Sequence, residues 1–151
     1  MKSLVVIPEN CTGCRRCMLW CSFRKTGFLS LVHSRIYITE LRSGYGFDIP
    51  VVCIHCGLCM HACPLNIIKR EKTGAIVVDE EKCVGCGLCV QSCPYGAITV
   101  DPLTKCALKC DLCNGDPECV KHCPGGALSY LDVDKAVKVK RAIYANKLKS
   151  R

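Results

Sequence analysis

An α+β fold is predicted by three features of the sequence: two nested modules of short strands and helices, followed by a basic C-terminal helix. Cysteine accounts for 17 of 151 residues and falls in repeated groups. Large apolar side chains are scarce, with three Phe and one Trp, so something other than side-chain packing must help hold the core. Between the cysteine groups lie only short β-rich runs bounded by Gly, Pro or charge. The length suits one compact domain or two small ones fused.

The cysteines repeat one spacing. Cys11, Cys14, Cys17 and Cys21 read C-x2-C-x2-C-x3-C. Cys53, Cys56, Cys59 and Cys63 repeat it before Pro64, and Cys83, Cys86, Cys89 and Cys93 repeat it again before Pro94. These last two sets are offset by 30 residues, an internal duplication. A stretched fourth set, Cys110, Cys113, Cys119 and Cys123, reads C-x2-C-x5-C-x3-C before Pro124. Cys106 is left over. An odd count, regular spacing and a leading apolar run of only Leu4 to Ile7 argue against a secreted disulfide scaffold. A reducing cytoplasm, where thiols persist as metal ligands, is the expected setting. No stretch approaches the roughly 20 apolar residues that span a bilayer.

A C-x2-C-x2-C loop curls around a compact object and directs three thiolates at it. The fourth cysteine follows a helical turn later and faces away, toward a second such object, and proline then stops the helix. This pattern suits [4Fe–4S] clusters. Tetrahedral zinc usually pairs one C-x2-4-C with a distant second pair and is the weaker reading. The similar second and third motifs are expected to complete each other, Cys53, Cys56 and Cys59 with Cys93, and Cys83, Cys86 and Cys89 with Cys63. The first and fourth motifs are then mutual partners, Cys11, Cys14 and Cys17 with Cys123, and Cys110, Cys113 and Cys119 with Cys21. The two ends of the chain fold together around or beside a central pair.

Residues 1–27 and 101–134 therefore form an outer module and residues 53–100 a central one. The first motif lacks proline, Ser22 following Cys21, so its helix can run on through Phe23 to Lys25. Residues 28–52 read as a hairpin insertion: Arg35–Thr39 alternates like a strand, Ser43–Gly46 is a turn, and Ile49–Val52 leads into the second motif. Strands are expected at Ile67–Lys69, Ala75–Val78, Ala97–Val100 and Ala127–Tyr130, in βαββαβ-like units. Stretches between third and fourth cysteines, such as Val90–Ser92, read as helical turns. Residues 135–151 hold seven Lys or Arg and no acid, with Ala136, Val139 and Ile143 at helical spacing. That helix is either a solvated tail or a docking element for an acidic partner; nothing accompanies it that suggests nucleic acid.

Other residues carry weaker signals. Cys106 is expected to be a free buried thiol and not a ligand. His55, His61 and His122 lie in the motifs, but complete cysteine quartets leave them no coordination position. Trp20, beside Cys21, reads as a packing residue; filling space between two clusters is the other reading. Gly13, Gly57, Gly85 and Gly87 leave backbone N–H groups near sulfur. No Ser-His-Asp set, phosphate-binding glycine loop or paired acids in a convincing context are present. The formal charge of +8 resides almost wholly in the tail, since residues 1–134 carry 14 Lys and Arg against 13 Asp and Glu. Four oxidised cubes with their thiolates, about −2 each, leave an acidic body with a basic appendage.

Two stretches resemble a known family: Cys11-Thr12-Gly13-Cys14-Arg15-Arg16-Cys17, and Lys109-Cys110-Asp111-Leu112-Cys113 running on to Pro117-Glu118-Cys119-Val120. The chain resembles the four-cluster, ferredoxin-like electron-transfer subunits of the dimethyl-sulfoxide-reductase type. Within that group it is most similar to the iron–sulfur partners of tungsten aldehyde oxidoreductases and carbon monoxide dehydrogenase. The resemblance covers roughly residues 3–130 and implies nested ligand exchange within two bacterial-ferredoxin-like modules. It also implies a larger pterin-tungsten or molybdenum catalytic subunit and a ferredoxin-like acceptor. The short fourth motif favours these relatives over the membrane-anchored kind. A carbon monoxide dehydrogenase or hydrogenase subunit is the alternative, ahead of a substrate-binding iron–sulfur enzyme or a structural zinc protein. Full cysteine ligation leaves no open iron, so the expected role is an electron conduit without a catalytic site.

Overall fold

In the computed structural model, which describes residues 2–41 and 47–149, the two ends of the chain are tied together. Strand β1 (Lys2–Val6) pairs antiparallel with β8 (Leu128–Asp132), Leu4 opposite Tyr130. The N-terminal apolar run is therefore a strand, with Leu4 and Val5 buried. Helix α1 (Arg16–Thr26) carries the third and fourth cysteines of the first motif and continues past them, as the missing proline suggested. It stops at Gly27, whose φ of 80° is open to glycine, with Gly27 N–H donating to the Phe23 carbonyl.

The insertion folds as a hairpin of β2 (Tyr37–Leu41) and β3 (Phe47–Val51), with Ile38 opposite Pro50. The turn expected at Ser43–Gly46 lies outside the described residues. Three side chains on or just before the hairpin reach the central module or the segment that follows it. The Arg35 guanidinium meets Glu80 at 2.5 Å, the Tyr37 hydroxyl shares a hydrogen bond with Thr99 at 2.7 Å, and His33 lies 3.6 Å from Asp101. The insertion acts as a clasp between modules.

The remaining elements follow the motifs. Helices α2 (Leu58–Ala62), α3 (Leu88–Gln91) and α4 (Glu118–Lys121) are single turns spanning the third cysteines. After each Cys-Pro, the N–H of Asn66, Gly96 or Gly126 donates back to the cysteine carbonyl at 3.2–3.3 Å, and each of these residues has a positive φ. A strand follows within two residues: β4 (Ile68–Arg70), β6 (Ile98–Val100) and β8. Strand β4 pairs with β5 (Ile76–Val78) across the Thr73-Gly74 turn. Strand β6 pairs with β7 (Ala107–Lys109), joining residues of 53–100 to residues of 101–134. Neither β1 nor β7 was foreseen from the sequence, because both are short and lie close to a motif.

Two buried clusters form the core, and cysteines belong to both. One gathers Leu4, Met18, Ile36, Leu112 and Leu128 with Cys17, Cys21 and Cys119; the other gathers Ile68, Ile76 and Ile98 with Cys59 and Cys89. Helix α5 (Val133–Lys149) packs on β1 and β8. Ala136 is buried and Val139 and Ile143 are half-buried, so the helix presents the narrow face expected of it. Its N-terminus falls two residues earlier than residue 135, because β8 runs directly into it.

Two glycines separate steric from conformational demands. A Cβ on Gly85 would stand 2.0 Å from the Lys105 carbonyl oxygen, at φ +64°; one on Gly87, at φ +78°, would meet nothing within 4 Å. Gly85→Ala is expected to cost ~3 kcal/mol, combining strain and overlap, and Gly87→Ala only ~1 kcal/mol. Thermal unfolding of anaerobically prepared protein should rank them in that order, and equal losses would contradict the close approach.

Candidate metal centre

Each motif bends its backbone the same way. The residues just before and just after the second cysteine have positive φ in all four: Gly13 and Arg15, His55 and Gly57, Gly85 and Gly87, Leu112 and Asn114. Glycine does this freely, whereas each non-glycine residue is strained by roughly 1–2 kcal/mol. Such alternation curls the chain into a cup and turns backbone N–H groups inward. The fourth motif is the most distorted, since Cys113 itself has φ 48°.

The cups line four cavities. Cys11, Cys14, Cys17 and Cys123 lie around the first, which Ile38 and Pro50 of the hairpin cover. Cys21, Cys110, Cys113 and Cys119 line the second. Cys53, Cys56, Cys59 and Cys93 line the third, and Cys63, Cys83, Cys86 and Cys89 the fourth. Every one of the sixteen cysteines grouped by spacing stands in one cavity, with three from one motif and one from its partner. Cys106 lines none of the four; it is half-buried, not buried, and its thiol donates to the Glu80 carbonyl at 3.2 Å.

Neighbouring cavities meet through particular side chains: Cys17, Cys21 and Cys119 share one buried cluster, Lys109 Nζ reaches both Cys53 Sγ and the Cys110 carbonyl, and Cys59 and Cys89 share the other cluster. The spatial order of the motifs is therefore first, fourth, second, third. Cys14 is exposed at one end of this series and Cys86 at the other, and Cys56 of the second motif is exposed between them. The second- and fourth-motif cavities meet at Cys53 and Cys110.

Burial sets the acidity of the thiols. Desolvation pushes Cys17 and Cys110 up to about 12 and Cys119 strongly upward, while the Arg16 backbone N–H holds exposed Cys14 below its ordinary value. Hydrogen bonds to sulfur come from the backbone N–H of His55 to Cys53, Leu112 to Cys110, Arg35 to Cys21 and Ala107 to Cys83, at 3.3–3.4 Å. None of these donors is a glycine; the motif glycines supply the turns.

The histidines divide. His55 is a packing residue: its Nδ1 accepts from the Ile76 N–H at 2.9 Å, and burial lowers its pKa to about 4. His61 is exposed. His122 stacks on Trp20, rings 3.8 Å apart and 6° from parallel. Trp20 thus packs, fastening α1 to α4, and lines none of the four cavities. Two buried nitrogens lack any partner, His55 Nε2 and Arg35 Nε, and both residues line cavities. Sequence reasoning missed Arg35 and Lys109, each buried beside a cavity, because a lone cation in a short strand reads as solvated.

These surroundings fit a compact anionic iron–sulfur cluster: four thiols per cavity, largely apolar walls and unpaired donors in residues that line them. Among the described residues, no three His, Cys, Asp or Glu side chains gather closely enough for a single metal ion. A tetrahedral zinc site would hold its sulfurs about 2.3 Å from one point.

Comparison with known proteins agrees. Residues 52–97 match a protein family described as a 4Fe-4S dicluster domain, and residues 8–24 match a 4Fe-4S binding domain. A polyferredoxin-like subunit of an aliphatic sulfonate oxidoreductase from Pyrococcus furiosus is 42% identical over 82 residues, 52% of this chain and 46% of its own length. A tetrathionate reductase subunit from Archaeoglobus fulgidus is 36% identical over 79 residues, 51% of this chain and 38% of its own. The matched segments thus span less than half the length of these relatives. Among solved structures, the active site complex BamBC of benzoyl coenzyme A reductase with zinc aligns with a TM-score of 0.52 at 24% identity. That alignment covers 100% of this chain and 91% of that one. The same complex with benzoyl-CoA gives 0.50 at 20%, covering 95% and 89%. That likeness is one of fold, and the chain carries ferredoxin-type 4Fe–4S domains.

Thiol acidity gives a direct test. Before iron and sulfide are supplied, iodoacetamide near neutral pH should label Cys14 at least 100-fold faster than Cys17 or Cys110. A shift from 9.0 to about 12 lowers the thiolate fraction roughly a thousandfold. Peptide mapping that finds the three equal would show that the cups do not form ahead of the metal.

Proposed function

We propose that this chain of ferredoxin-type 4Fe–4S domains is an electron-transfer subunit carrying four [4Fe–4S] clusters. It relays single electrons between a catalytic oxidoreductase subunit and ferredoxin or a similar acceptor. The observation that carries this reading is the series of four thiol-lined cavities, running from exposed Cys14 to exposed Cys86. The names of the two relatives, each a subunit of an oxidoreductase or reductase, support it.

The ligands are the four cavity quartets, so each cluster is held by three cysteines of one motif and the fourth of its partner. When bound, each cluster supplies one-electron uptake and release. The chain's part is to keep neighbouring sites adjacent, since tunnelling weakens exponentially with distance, and to exclude water with the apolar walls and the β2–β3 hairpin. Backbone N–H donors to sulfur, with burial, set the potentials. Complete cysteine ligation offers substrate no iron, so catalysis belongs to the partner. The motif resemblance supports a pterin-tungsten or molybdenum partner of the aldehyde-oxidoreductase kind. No described helix is long and apolar enough to cross a membrane, and the cytoplasm remains the proposed setting.

Anaerobically prepared protein should contain about sixteen irons and, once reduced, show interacting S = 1/2 signals. Abundant zinc with little iron would overturn the reading. Cys93→Ala should damage the site of Cys53, Cys56 and Cys59 and leave that of Cys83, Cys86 and Cys89 mostly intact, detected as loss of one reduction wave. Loss of the latter site instead would show that each motif ligates itself. Copurification from the source organism should identify the catalytic subunit.

A further inference from the structure

Lys109 ends β7, one residue before the fourth motif, and points inward. It is 4% exposed. Its ammonium donates to the Ile76 carbonyl at 2.6 Å and the Cys110 carbonyl at 3.1 Å, and reaches Cys53 Sγ at 3.3 Å. It lines the cavity of Cys53, Cys56, Cys59 and Cys93 and stands at the junction where that cavity meets the outer module. No carboxylate lies within ion-pair distance of Lys109 among the described residues.

The other cavities differ in this respect. Beside the cavity of Cys21, the Arg35 guanidinium is matched by Glu80 at 2.5 Å, and Lys25 by Asp111. Near the first motif, Arg15 is exposed and paired with Glu40 at 2.9 Å. The cavity of Cys63, Cys83, Cys86 and Cys89 is lined by no Lys or Arg among the described residues. Among the described residues, only the second-motif cavity has a buried cation whose partners are two carbonyls, the His55 Nδ1 at 3.5 Å and a ligand sulfur, with no carboxylate. Arg70 adds positive charge nearby, its guanidinium held by the Gly74 and His55 carbonyls at 3.0–3.1 Å.

Adding an electron raises the negative charge of a site, and a fixed cation within hydrogen-bonding reach of a ligand sulfur stabilises that charge. In a buried setting water screens it little, and a charge-assisted donor to sulfur acts in the same direction. Resting on the relay reading above, we infer that Lys109 is a positioning residue giving the site of Cys53, Cys56, Cys59 and Cys93 the highest reduction potential in the chain. That site is then the electron reservoir of the series, placed where the second and fourth motifs meet, with its own Cys56 exposed. Lys109 also offsets repulsion between electrons on the two sides of that junction.

The test is an anaerobic potentiometric titration of the iron-loaded full chain, followed by electron paramagnetic resonance. The wave belonging to this site is the one missing from Cys93→Ala. In the wild type it should have the highest midpoint of all. In Lys109→Met, at the wild-type midpoint of that wave, the reduced-to-oxidised ratio should fall at least tenfold, about 59 mV for one electron. The other waves should move less, and Lys109→Arg, which keeps the charge, should stay closer to the wild type than Lys109→Met. A general loosening would shift several waves together and would overturn the assignment. So would an unshifted wave in an iron-replete Lys109→Met protein. Should Lys109→Met fail to take up iron, the wild-type order decides alone: another wave with the highest midpoint overturns the inference. A wild-type chain without iron would instead overturn the relay reading itself, which distinguishes the two failures.

Discussion

Sixteen thiols have to be enclosed by a chain with too few large apolar side chains to close a core of its own. The paired left-handed turns around each second cysteine are how the backbone does this. They curl every motif into a cup, place three sulfurs on one concave surface and send the next turn of helix away, so that the fourth sulfur reaches another cup. Strain at Arg15, His55, Leu112 and Asn114 persists because the rest of the fold is built around these cups. The two core clusters correspondingly mix cysteine sulfur with aliphatic side chains, and metal uptake is expected to add to the stability of cups already formed.

Electrostatics then grades four similar cups. The thiols that burial pushes furthest upward, Cys17, Cys110 and Cys119, belong to the first and fourth motifs. Charge matching differs from cup to cup. Arg35 and Lys25 are each answered by a carboxylate, whereas Lys109 is answered by carbonyls and a sulfur. Groups of identical ligation can therefore have different potentials, because what varies is the charge just outside the ligands.

The insertion serves this arrangement in two ways. Its hairpin covers the first cavity with Ile38 and Pro50, and the segment leading into it clasps the central module through His33, Arg35 and Tyr37. The pairing of β1 with β8, with α5 laid over both, ties the two ends of the outer module together. With β6 and β7 paired between the modules, the junction is held by more than cysteine contacts.

Much of the candidate site was legible in the sequence because cysteine spacing is local and covalent: it determines how many sulfurs one stretch of chain can turn toward a point. The Cys-Pro helix stops, the strands after them, the run-on of α1 and the narrow face of α5 all follow from spacing and periodicity. Strands β1 and β7 did not show, since a three- to five-residue strand owes its existence to a partner elsewhere along the chain. Trp20 was expected to pack, but its partner His122 did not show, because only the pairing of α1 with α4 brings that ring within reach. Only the tertiary structure decided that the motifs stand in the order first, fourth, second, third, which puts Cys110 beside Cys53. That same juxtaposition buries Lys109 between two modules. A residue's neighbours in sequence give its chemistry, but the charge it faces is set by distant segments, as Ile76 and Cys53 do for Lys109, and packing alone brings those together.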